Sequence, residues 1–280
     1  MQQVSSISTL RRSISQIHRA GKRIAFVPTM GALHTGHLSL IRRARQTVGS
    51  QGRIVVSIFI NPPQFNQKSD LLHYPRPLAI DTRLCRKMGV DLLFTPSART
   101  MYPSHFSTWV EEKSLSVLLC GASRPGHFRG VCTIVLKLFN LIQPVIAFFG
   151  QKDAQQALVI KRIAQDLNCP IRIIIAPTVR ERDGLAMSSR NQHLKPVERI
   201  QARALSETLN LMRSSFKKGN PKKIRNLGLN HLKKAPGLQL NYLEIVDPLT
   251  LRPVQKLARG NLIVVAAYIG RTRLIDNVRL

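Results

Sequence analysis

Residues 24–37 read IAFVPTMGALHTGH, and this stretch decides how the rest of the chain is interpreted. It begins as a short apolar strand, turns through small residues and enters a helix at or just after Gly36. Free backbone N–H groups and the dipole favour a phosphate at the start of a helix. Gly31 and Gly36 let the backbone approach a nucleotide closely, and His34 and His37 can donate hydrogen bonds to phosphate oxygens. The stretch therefore predicts a nucleotide-binding strand, loop and helix.

Two histidines three residues apart are also compatible with half of a zinc site or with two surface side chains. Neither a cysteine nor a further histidine follows at the spacing of a zinc motif. The nucleotide interpretation is therefore favoured, with the other two left open.

Short apolar runs alternate with helix-length patterns up to about residue 178. Continuous apolar runs are typical of strands that are covered on both faces, so the alternation predicts an α/β fold with a doubly wound parallel sheet. Ligands bind such sheets at the carboxyl ends of the strands. The predicted strands are 24–27, 54–60, 90–94, 145–149 and 171–175, and the predicted helices are 5–18, 36–48, 78–88, 131–141 and 155–168.

The composition changes after Asn191, because residues 191–240 hold eleven Lys and Arg against two Glu. Two amphipathic helices are predicted over 196–216 and 222–234, separated by the helix breaker Gly219-Asn220-Pro221. Strand-like runs follow at 239–246, 262–269 and 272–278. We therefore predict an α/β domain over 1–178 and a smaller α+β domain over 179–280.

The charge of the chain is very unbalanced: 43 Lys and Arg face 14 Asp and Glu, a formal net charge of +29 in 280 residues. Such a charge makes nucleic acid the first partner to consider. However, a single Trp and the absence of Arg interleaved with stacking residues argue against a nucleic-acid-binding surface. No apolar run reaches the ~18 residues of a membrane helix. We expect solvated basic helix faces, no specific nucleic acid partner and no membrane partner.

The four cysteines, Cys85, Cys120, Cys132 and Cys169, form no CxxC pair and have apolar neighbours. They are therefore predicted to be buried free thiols, which indicates a reducing compartment and a cytoplasmic location.

A second chemical motif, Gly150-Gln151-Lys152-Asp153, follows a predicted strand and opens a helix. Lys152 can supply a positive charge to phosphates, and Asp153 can bind Mg²⁺ directly or through water. The alternative is that Asp153 only caps the helix.

A third motif, residues 183–191, reads DGLAMSSRN. Two hydroxyl groups beside the Arg190 guanidinium suit a mobile clamp on a triphosphate, and a polar turn between domains is the alternative.

Amide side chains form a further group of candidates. Gln64 lies in the stretch Asn61-Pro62-Pro63-Gln64-Phe65, and Gln155 and Gln156 open the helix after Asp153. Amides can hydrogen-bond a small hydroxy acid without adding charge. The basic loop over 124–130 either binds an anion or orders itself.

Taken together, these motifs resemble the pantoate–β-alanine ligase family of the HxGH nucleotidyltransferase-like superfamily. The resemblance runs from the first predicted strand to the last. It rests on VPTMGALHxGH at 27–37, SIFxNPxQF at 57–65, YPR at 74–76, RPGHFRGV at 124–131, KLFN at 137–140, GxKDxQQ at 150–156, PTVRExDGLAMSSRN at 177–191, YLEIVDP at 242–248 and GRTRLIDN at 270–277.

The resemblance implies that residues 1–178 form a Rossmann-like catalytic, ATP-binding domain, that residues 179–280 form a smaller C-terminal lid domain, and that the protein is a homodimer. It also implies an AMP-forming ligase with a two-step reaction. Pantoate attacks ATP in the presence of Mg²⁺, which gives pantoyl adenylate and pyrophosphate. The amine of β-alanine then displaces AMP and forms the amide bond of pantothenate.

The family's residue roles carry over onto matching positions. His37 would be a proton donor with His34 beside it, Lys152 and Arg190 would complete the catalytic set, and Asp153 would lie near the metal. Gln64 and Gln156 would hold pantoate, and Gln64 would also meet β-alanine. The implied ATP contacts are Met30, Gly31, Ala32, Leu33, His34, Thr35, Gly36, His37, Gly150, Gln151, Lys152, Asp153, Val179, Met187, Ser188, Ser189 and Arg190.

The chain departs from the family pattern at a few positions. Thr35 and Gln151 each stand where the family usually has Glu, and Leu72 and His73 stand in a stretch that is acidic in the family. Pro63 and Pro77 replace small or hydroxylated residues. Lost carboxylates beside the nucleotide predict an active enzyme with altered metal dependence.

The alternative prediction is another HxGH nucleotidyltransferase, or a class I aminoacyl-tRNA synthetase-like RNA-binding protein in which MSSR is the second ATP loop. The positive charge would then indicate tRNA. No anticodon-binding domain follows, and 280 residues is short for a synthetase.

Overall fold

The computed structural model describes residues 1–216 and 220–280, and in it the N-terminal part is built on a six-stranded parallel sheet. Its strands are β1 (Gln2–Val4), β2 (Ile24–Thr29), β3 (Arg53–Ile58), β4 (Leu92–Phe94), β5 (Ile146–Gly150) and β6 (Arg172–Ala176). The spatial order is β1-β4-β3-β2-β5-β6. After β2 the chain adds β3 and β4 towards one edge of the sheet, and after β5 it adds β6 towards the other edge. The direction in which strands are added therefore reverses between the neighbours β2 and β5. Parallel α/β sheets bind ligands at such a reversal.

Helices cover both faces of this sheet, which confirms the predicted Rossmann-like, doubly wound architecture. The helices of this part are α1 (Ile7–Arg19), α2 (Thr35–Val48), α3 (Lys68–His73), α4 (Leu78–Lys87), α5 (Ala98–Met101), α6 (Cys120–Ser123), α7 (His127–Ile142) and α8 (Ala154–Asp166). On one face Leu10 of α1 and residues of α7 and α8 pack into a core with Phe26. On the other face Ile41 of α2 and Cys85 of α4 pack against Val56.

The C-terminal part is a three-stranded antiparallel sheet with two helices. Its elements are α9 (Pro196–Ser214), α10 (Pro221–Leu232), β7 (Leu238–Val246), β8 (Leu262–Ile269) and β9 (Thr272–Arg279), with β8 in the middle of the sheet. Side chains alternate between the two faces of a strand. Ile263 and Val265 of β8 pack in the core formed with α9 and α10, whereas Leu262 and Val264 join the N-terminal core. This double burial explains why β8 is a continuous apolar run.

The predicted strands and long helices are present, with bounds that differ by a few residues. β1 and the short helices α3, α5 and α6 were not predicted, because segments of three to six residues carry too little periodicity. The helix breaker between α9 and α10 lies only partly within the described residues, since Gly219 is outside them.

Cys85, Cys120 and Cys132 are buried free thiols, as predicted. Cys169 is only partly buried, because it lies in the turn between α8 and β6. Within residues 1–216 and 220–280, no helix is long and apolar enough to cross a membrane.

Candidate active site

A large cleft of about 1310 Å³ opens at the carboxyl ends of β2, β3 and β5. Residues from β9 and from the segment 177–195 line its other side. The structure brings most of the predicted site residues together there. The predicted residues that line the cleft are Met30, His34, Gly36, His37, Gln64, Gly150, Lys152, Asp153, Gln156, Val179, Met187, Ser188, Ser189 and Arg190.

The remaining predicted ATP contacts, Gly31, Ala32, Leu33, Thr35 and Gln151, lie outside the cleft lining. Thr35 is an exposed residue at the first position of α2. Both of the chain's nucleotide-site departures from the family pattern, Thr35 and Gln151, are therefore in this group.

The loop between β2 and α2 is held by a buried carboxylate that the sequence analysis did not identify. Both oxygens of Asp81, in α4, accept backbone hydrogen bonds from this loop, at 2.8 Å from Ala32 N and 2.8 Å from Leu33 N. The loop needs this support because Gly31 has φ +86° and Ala32 has φ +49°. A Cβ at Gly31 would lie 3.1 Å from an oxygen of Asp81. Burial raises the pKa of Asp81, and its two backbone hydrogen bonds oppose that rise.

The two histidines of the HxGH motif lie against each other at the start of α2, with ring centroids 4.1 Å apart and ring planes tilted by 35°. His34 Nδ1 accepts a hydrogen bond from Gly36 N at 3.2 Å, and His37 Nδ1 accepts a long one from His34 N at 3.4 Å. In the neutral rings these bonds place the proton on Nε2 of both side chains. The Nε2–H groups are then available as donors to a ligand.

Burial keeps the histidines of the cleft neutral. Burial, followed by the charge of Lys152, lowers the pKa of His34 to about 4, and burial, followed by His34 itself, lowers the pKa of His37 to about 3. His127, at the start of α7, behaves in the same way: burial and the Arg124 guanidinium lower its pKa to about 3. We call these three residues the cleft histidines.

Lys152 and Asp153 lie side by side where β5 ends. Asp153 occupies the residue before α8, but its side chain makes no capping hydrogen bond, so capping does not explain this carboxylate. Instead Asp153 Oδ1 lies 3.5 Å from Lys152 Nζ. Burial raises the pKa of Asp153, but the Lys152 ammonium and the Arg190 guanidinium outweigh burial and hold that pKa below its usual value. The carboxylate is therefore ionised. Its side chain is also 47% exposed, so it can reach a cation in the cleft.

Arg190 reaches across the mouth of the cleft. Its guanidinium NH2 group lies 3.2 Å from Asp70 Oδ2 in α3, and both side chains are partly exposed. An anionic ligand that takes up Arg190 therefore competes with this ion pair.

Gln64 and Gln156 come from different segments and meet in the cleft. Gln64 Nε2 lies 3.4 Å from Gln156 Oε1. The backbone carbonyl of Gln64 is fixed by His127 Nδ1 at 2.7 Å and by Arg124 at 3.1 Å. The basic loop over 124–130 thus orders the chain around Gln64. Gln155 and Gln156 both border the cleft, but the buried side chain of Gln155 is bonded to the backbone of Leu115, Leu118 and Cys120, which leaves Gln156 as the member of the pair available to a ligand.

The donor set of the cleft suits a cation that is bound largely by a ligand's own oxygens. Within the described ranges, no group of three or more His, Cys, Asp or Glu side chains is arranged to hold a metal ion. Mg²⁺ usually takes one or two carboxylates together with substrate phosphates and water. Asp153 fits that pattern as a single protein ligand, whereas a zinc site around His34 and His37 does not fit.

Comparison with known proteins gives a consistent result over the whole chain. Residues 2–279 match the family model described as pantoate-beta-alanine ligase. The chain is 49% identical over 282 residues to the pantothenate synthetase of Thermotoga neapolitana, with 100% of both chains covered. It is 50% identical over 283 residues to pantothenate synthetase 1 of Bradyrhizobium diazoefficiens, with 100% of this chain and 98% of the relative covered.

Solved structures agree with this result. The crystal structure of pantothenate synthetase from Thermus thermophilus superposes with a TM-score of 0.94 at 42% identity and covers 99% of each chain. Pantoate-beta-alanine ligase from Francisella tularensis, complexed with beta-gamma ATP and beta-alanine, gives a TM-score of 0.82 at 35% identity and covers 100% of this chain and 97% of the other.

Proposed function

This chain belongs to the pantoate–β-alanine ligase family, and on that premise we propose how its cleft joins the two substrates at the expense of ATP. The enzyme is a ligase that forms the amide bond of pantothenate. One observation carries the assignment of roles within the cleft: paired amides, Gln64 and Gln156, share it with Lys152, Arg190 and two imidazoles. The amides suit a small hydroxy acid, and the cations and imidazoles suit a triphosphate.

In the first step, a carboxylate oxygen of pantoate attacks the α-phosphorus of ATP. The bond from that phosphorus to the oxygen bridging the α- and β-phosphates breaks, so pyrophosphate leaves and pantoyl adenylate remains. Two anions must approach each other, and Lys152 and Arg190 lower that repulsion by binding phosphate oxygens. Gln64 and Gln156 hold pantoate in line for the attack, which removes much of the entropic cost.

We propose that His34 and His37 act as neutral hydrogen-bond donors to the phosphates through Nε2–H. Their lowered pKa values support this form in the free enzyme, since a second charged ring 4.1 Å away would be repelled. Two such donors, fixed before the ligand arrives, stabilise charge that develops on the leaving pyrophosphate.

In the second step, the amine nitrogen of β-alanine attacks the carbonyl carbon of the adenylate. The bond from that carbon to the AMP oxygen breaks, the nitrogen passes a proton to the departing phosphate, and AMP leaves. Gln64 is proposed to orient β-alanine, because its backbone is locked by His127 and Arg124 while its side chain reaches the cleft. The adenylate must be shielded from water, so we propose that residues 179–280 form a lid that closes over the product of the first step.

Asp153 would hold the Mg²⁺ that accompanies ATP. The ion would supply charge neutralisation on the phosphate oxygens. Thr35 and Gln151 lie outside the cleft lining, which argues against a role for either side chain in binding the ion. We therefore propose that their departures from the family pattern leave the enzyme's use of Mg²⁺ unchanged, contrary to the expectation drawn from the sequence.

The alternative assignment to another HxGH nucleotidyltransferase or to a synthetase-like RNA-binding protein is set aside, because the family match extends over residues 2–279. We propose a homodimer in the cytoplasm, the assembly implied by the family resemblance and the location suggested by the free thiols. Light scattering of the purified protein tests the assembly.

Pyrophosphate release tests the assignment of the cleft. The protein should release pyrophosphate when given ATP, Mg²⁺ and pantoate without β-alanine, and His37→Ala should lose this activity. His18→Ala is the matched control, since His18 is exposed in the last turn of α1 and should leave the rate unchanged. Folded wild-type protein that releases no pyrophosphate under these conditions would refute the proposed function.

A further inference from the structure

The motif GRTRLIDN near the end of the chain contributes two residues, Asp276 and Asn277, for which the proposed reaction gives no role. Both lie on β9 and both are about 4% exposed. We propose that Asp276 and Asn277 are positioning residues, which set the two ATP-binding loops in their working geometry from the C-terminal sheet. This proposal rests on the function proposed above for those loops.

Asn277 holds the loop that carries Lys152. Its Nδ2 donates to the backbone carbonyl of Gln151 at 2.8 Å and to that of Lys152 at 3.0 Å. Both protons of the amide are therefore used on consecutive carbonyl groups. Because the carbonyl of Lys152 is fixed, so is the origin of the side chain that carries the ammonium group to the cleft.

Gln151 completes this amide network. Its Nε2 lies 3.3 Å from Asn277 Oδ1, so the Gln151 side chain donates and Asn277 accepts. A glutamate at 151 has no proton to donate there at neutral pH. The departure of Gln151 from the family pattern thus serves the contact with β9, since its side chain is directed to Asn277 and lies outside the cleft lining.

Asp276 holds the second loop, which carries Ser188 and Arg190. Its two oxygens accept from both terminal nitrogens of Arg180, at 2.7 and 3.1 Å. Arg180 in turn donates to the carbonyl of Gly184 at 3.0 Å and pairs with Ala186 through a backbone bridge. A bidentate guanidinium–carboxylate pair fixes direction as well as distance. Asp276 therefore orients the base of the loop that carries Arg190.

Adjacent residues of one strand point to opposite faces. Asp276 and Asn277 use this alternation to hold one loop each, and Asp276 Oδ1 also accepts the backbone N–H of Asn277 at 2.7 Å. The distance between Lys152 and Arg190 therefore depends on a strand that contributes neither residue. Two cations that must hold one triphosphate need such a common reference.

The experiment compares Asn277→Ala with Asn261→Ala. Asn261 is a matched control, because it is a buried Asn beside the same sheet whose Oδ1 accepts from Ala258 N at 2.7 Å. Asn277→Ala should lower the rate of pyrophosphate release on the order of 10²-fold, the cost of misplacing a catalytic group by about 1 Å. It should also raise the Kd for ATP measured by calorimetry. Asn261→Ala should change neither quantity, even if its melting temperature falls equally.

A double-variant comparison separates positioning from a general loss of stability. If Asn277 acts through Lys152, then Asn277→Ala added to Lys152→Ala should cost little more than Lys152→Ala alone. If the loss of rate in the double variant equals the product of the two single-variant losses to within about twofold, the two effects are independent and the proposal is overturned. Asn277→Asp, which keeps the size but presents no donors to the two carbonyls, should reproduce the loss and serves if the alanine variant does not fold.

The ATP-binding measurement keeps the two proposals distinct. A wild-type protein that binds ATP but releases no pyrophosphate would refute the proposed function, and the Kd comparison would still test the role of Asn277. Asp276→Asn should raise the Kd for ATP in the wild-type background but not in Arg190→Ala. A Kd that Asn277→Ala leaves at the wild-type value would refute the positioning role.

Discussion

Substitution of Asp81 by Asn is the sharpest test of how the HxGH loop is held. Asp81 is 1% exposed, and each of its oxygens accepts one backbone N–H, from Ala32 and from Leu33, at 2.8 Å. An asparagine of the same shape offers one acceptor and one donor group. One of the two loop N–H groups would therefore face another donor in a buried position.

Two effects of opposite sign set the size of the change. Loss of a hydrogen bond to a charged acceptor costs about 1.5–3 kcal/mol. Burial raises the pKa of Asp81, so ionisation of the carboxyl already costs stability, and a neutral amide recovers part of it. We expect a net destabilisation of about 1–2 kcal/mol. The effect on activity should be larger, on the order of 10²-fold, because the loop positions His34 and His37.

The assay is pyrophosphate release from ATP and pantoate, with urea unfolding to measure stability. Glu112→Gln is the matched control: both oxygens of the buried Glu112 also accept backbone N–H groups, at 3.0 Å from Ser114 and at 2.8 Å from Leu115 and Ser116, but outside the cleft lining. It should lose stability without losing activity. If Asp81→Asn stays within about twofold of the wild-type rate, the loop does not depend on this carboxylate.

Three further predictions address the rest of the cleft. Asp70→Asn should lower the KM for ATP by up to about fivefold, because it frees Arg190 from a partly exposed ion pair worth ~0.2–1 kcal/mol. An unchanged KM in steady-state kinetics would contradict this prediction. The cleft histidines have folded pKa values of about 3–4 against 6.5, so below pH 6.5 the unfolded chain binds protons that the folded chain cannot. The free energy of unfolding should therefore fall from pH 6.5 towards pH 4, by up to about 1.4 kcal/mol per pH unit for each histidine. Urea titrations should show a shallower fall in His127→Gln than in the wild type. Gln156→Glu should raise the KM for pantoate at least about tenfold, because the new carboxylate repels that of pantoate. The control Gln165→Glu, at an exposed position of α8, should leave the KM unchanged. Equal KM values for the two variants would show that Gln156 does not bind pantoate.

The fold was predictable because the patterns that indicate its strands and helices lie within short stretches of the sequence. Apolar runs and helical periodicity identified the sheet and the long helices, and β8 was predicted correctly because it is buried on both faces. The carboxyl-end rule then placed the loops after β2, β3 and β5 together, and Gln64, after β3, does meet Gln156, after β5. The edge strand β1 was missed, because three residues without alternation carry no pattern.

The residues that support the site were not predictable by the same reasoning. Asp81 sits in α4 and looks like an ordinary polar helix residue, while its partners Ala32 and Leu33 lie 49 and 48 positions away. Asn277 was part of a recognised motif, but its contact to residues 125 and 126 positions earlier is a property of how the two sheets stack. Single-sequence patterns contain no record of such distances. The motifs therefore identified the groups that meet the ligand and missed those that hold them.

The contact between β9 and the loop after β5 also orders events during synthesis of the protein. A growing chain that has reached residue 178 contains every strand of the parallel sheet, together with His34, His37 and Lys152. It does not yet contain Asn277, which supports the carbonyls of Gln151 and Lys152. Domains fold progressively as they leave the ribosome. The nucleotide loop consequently gains its support only when the last strand docks, so a partly made chain holds the parts of an ATP site without the arrangement that makes it reactive.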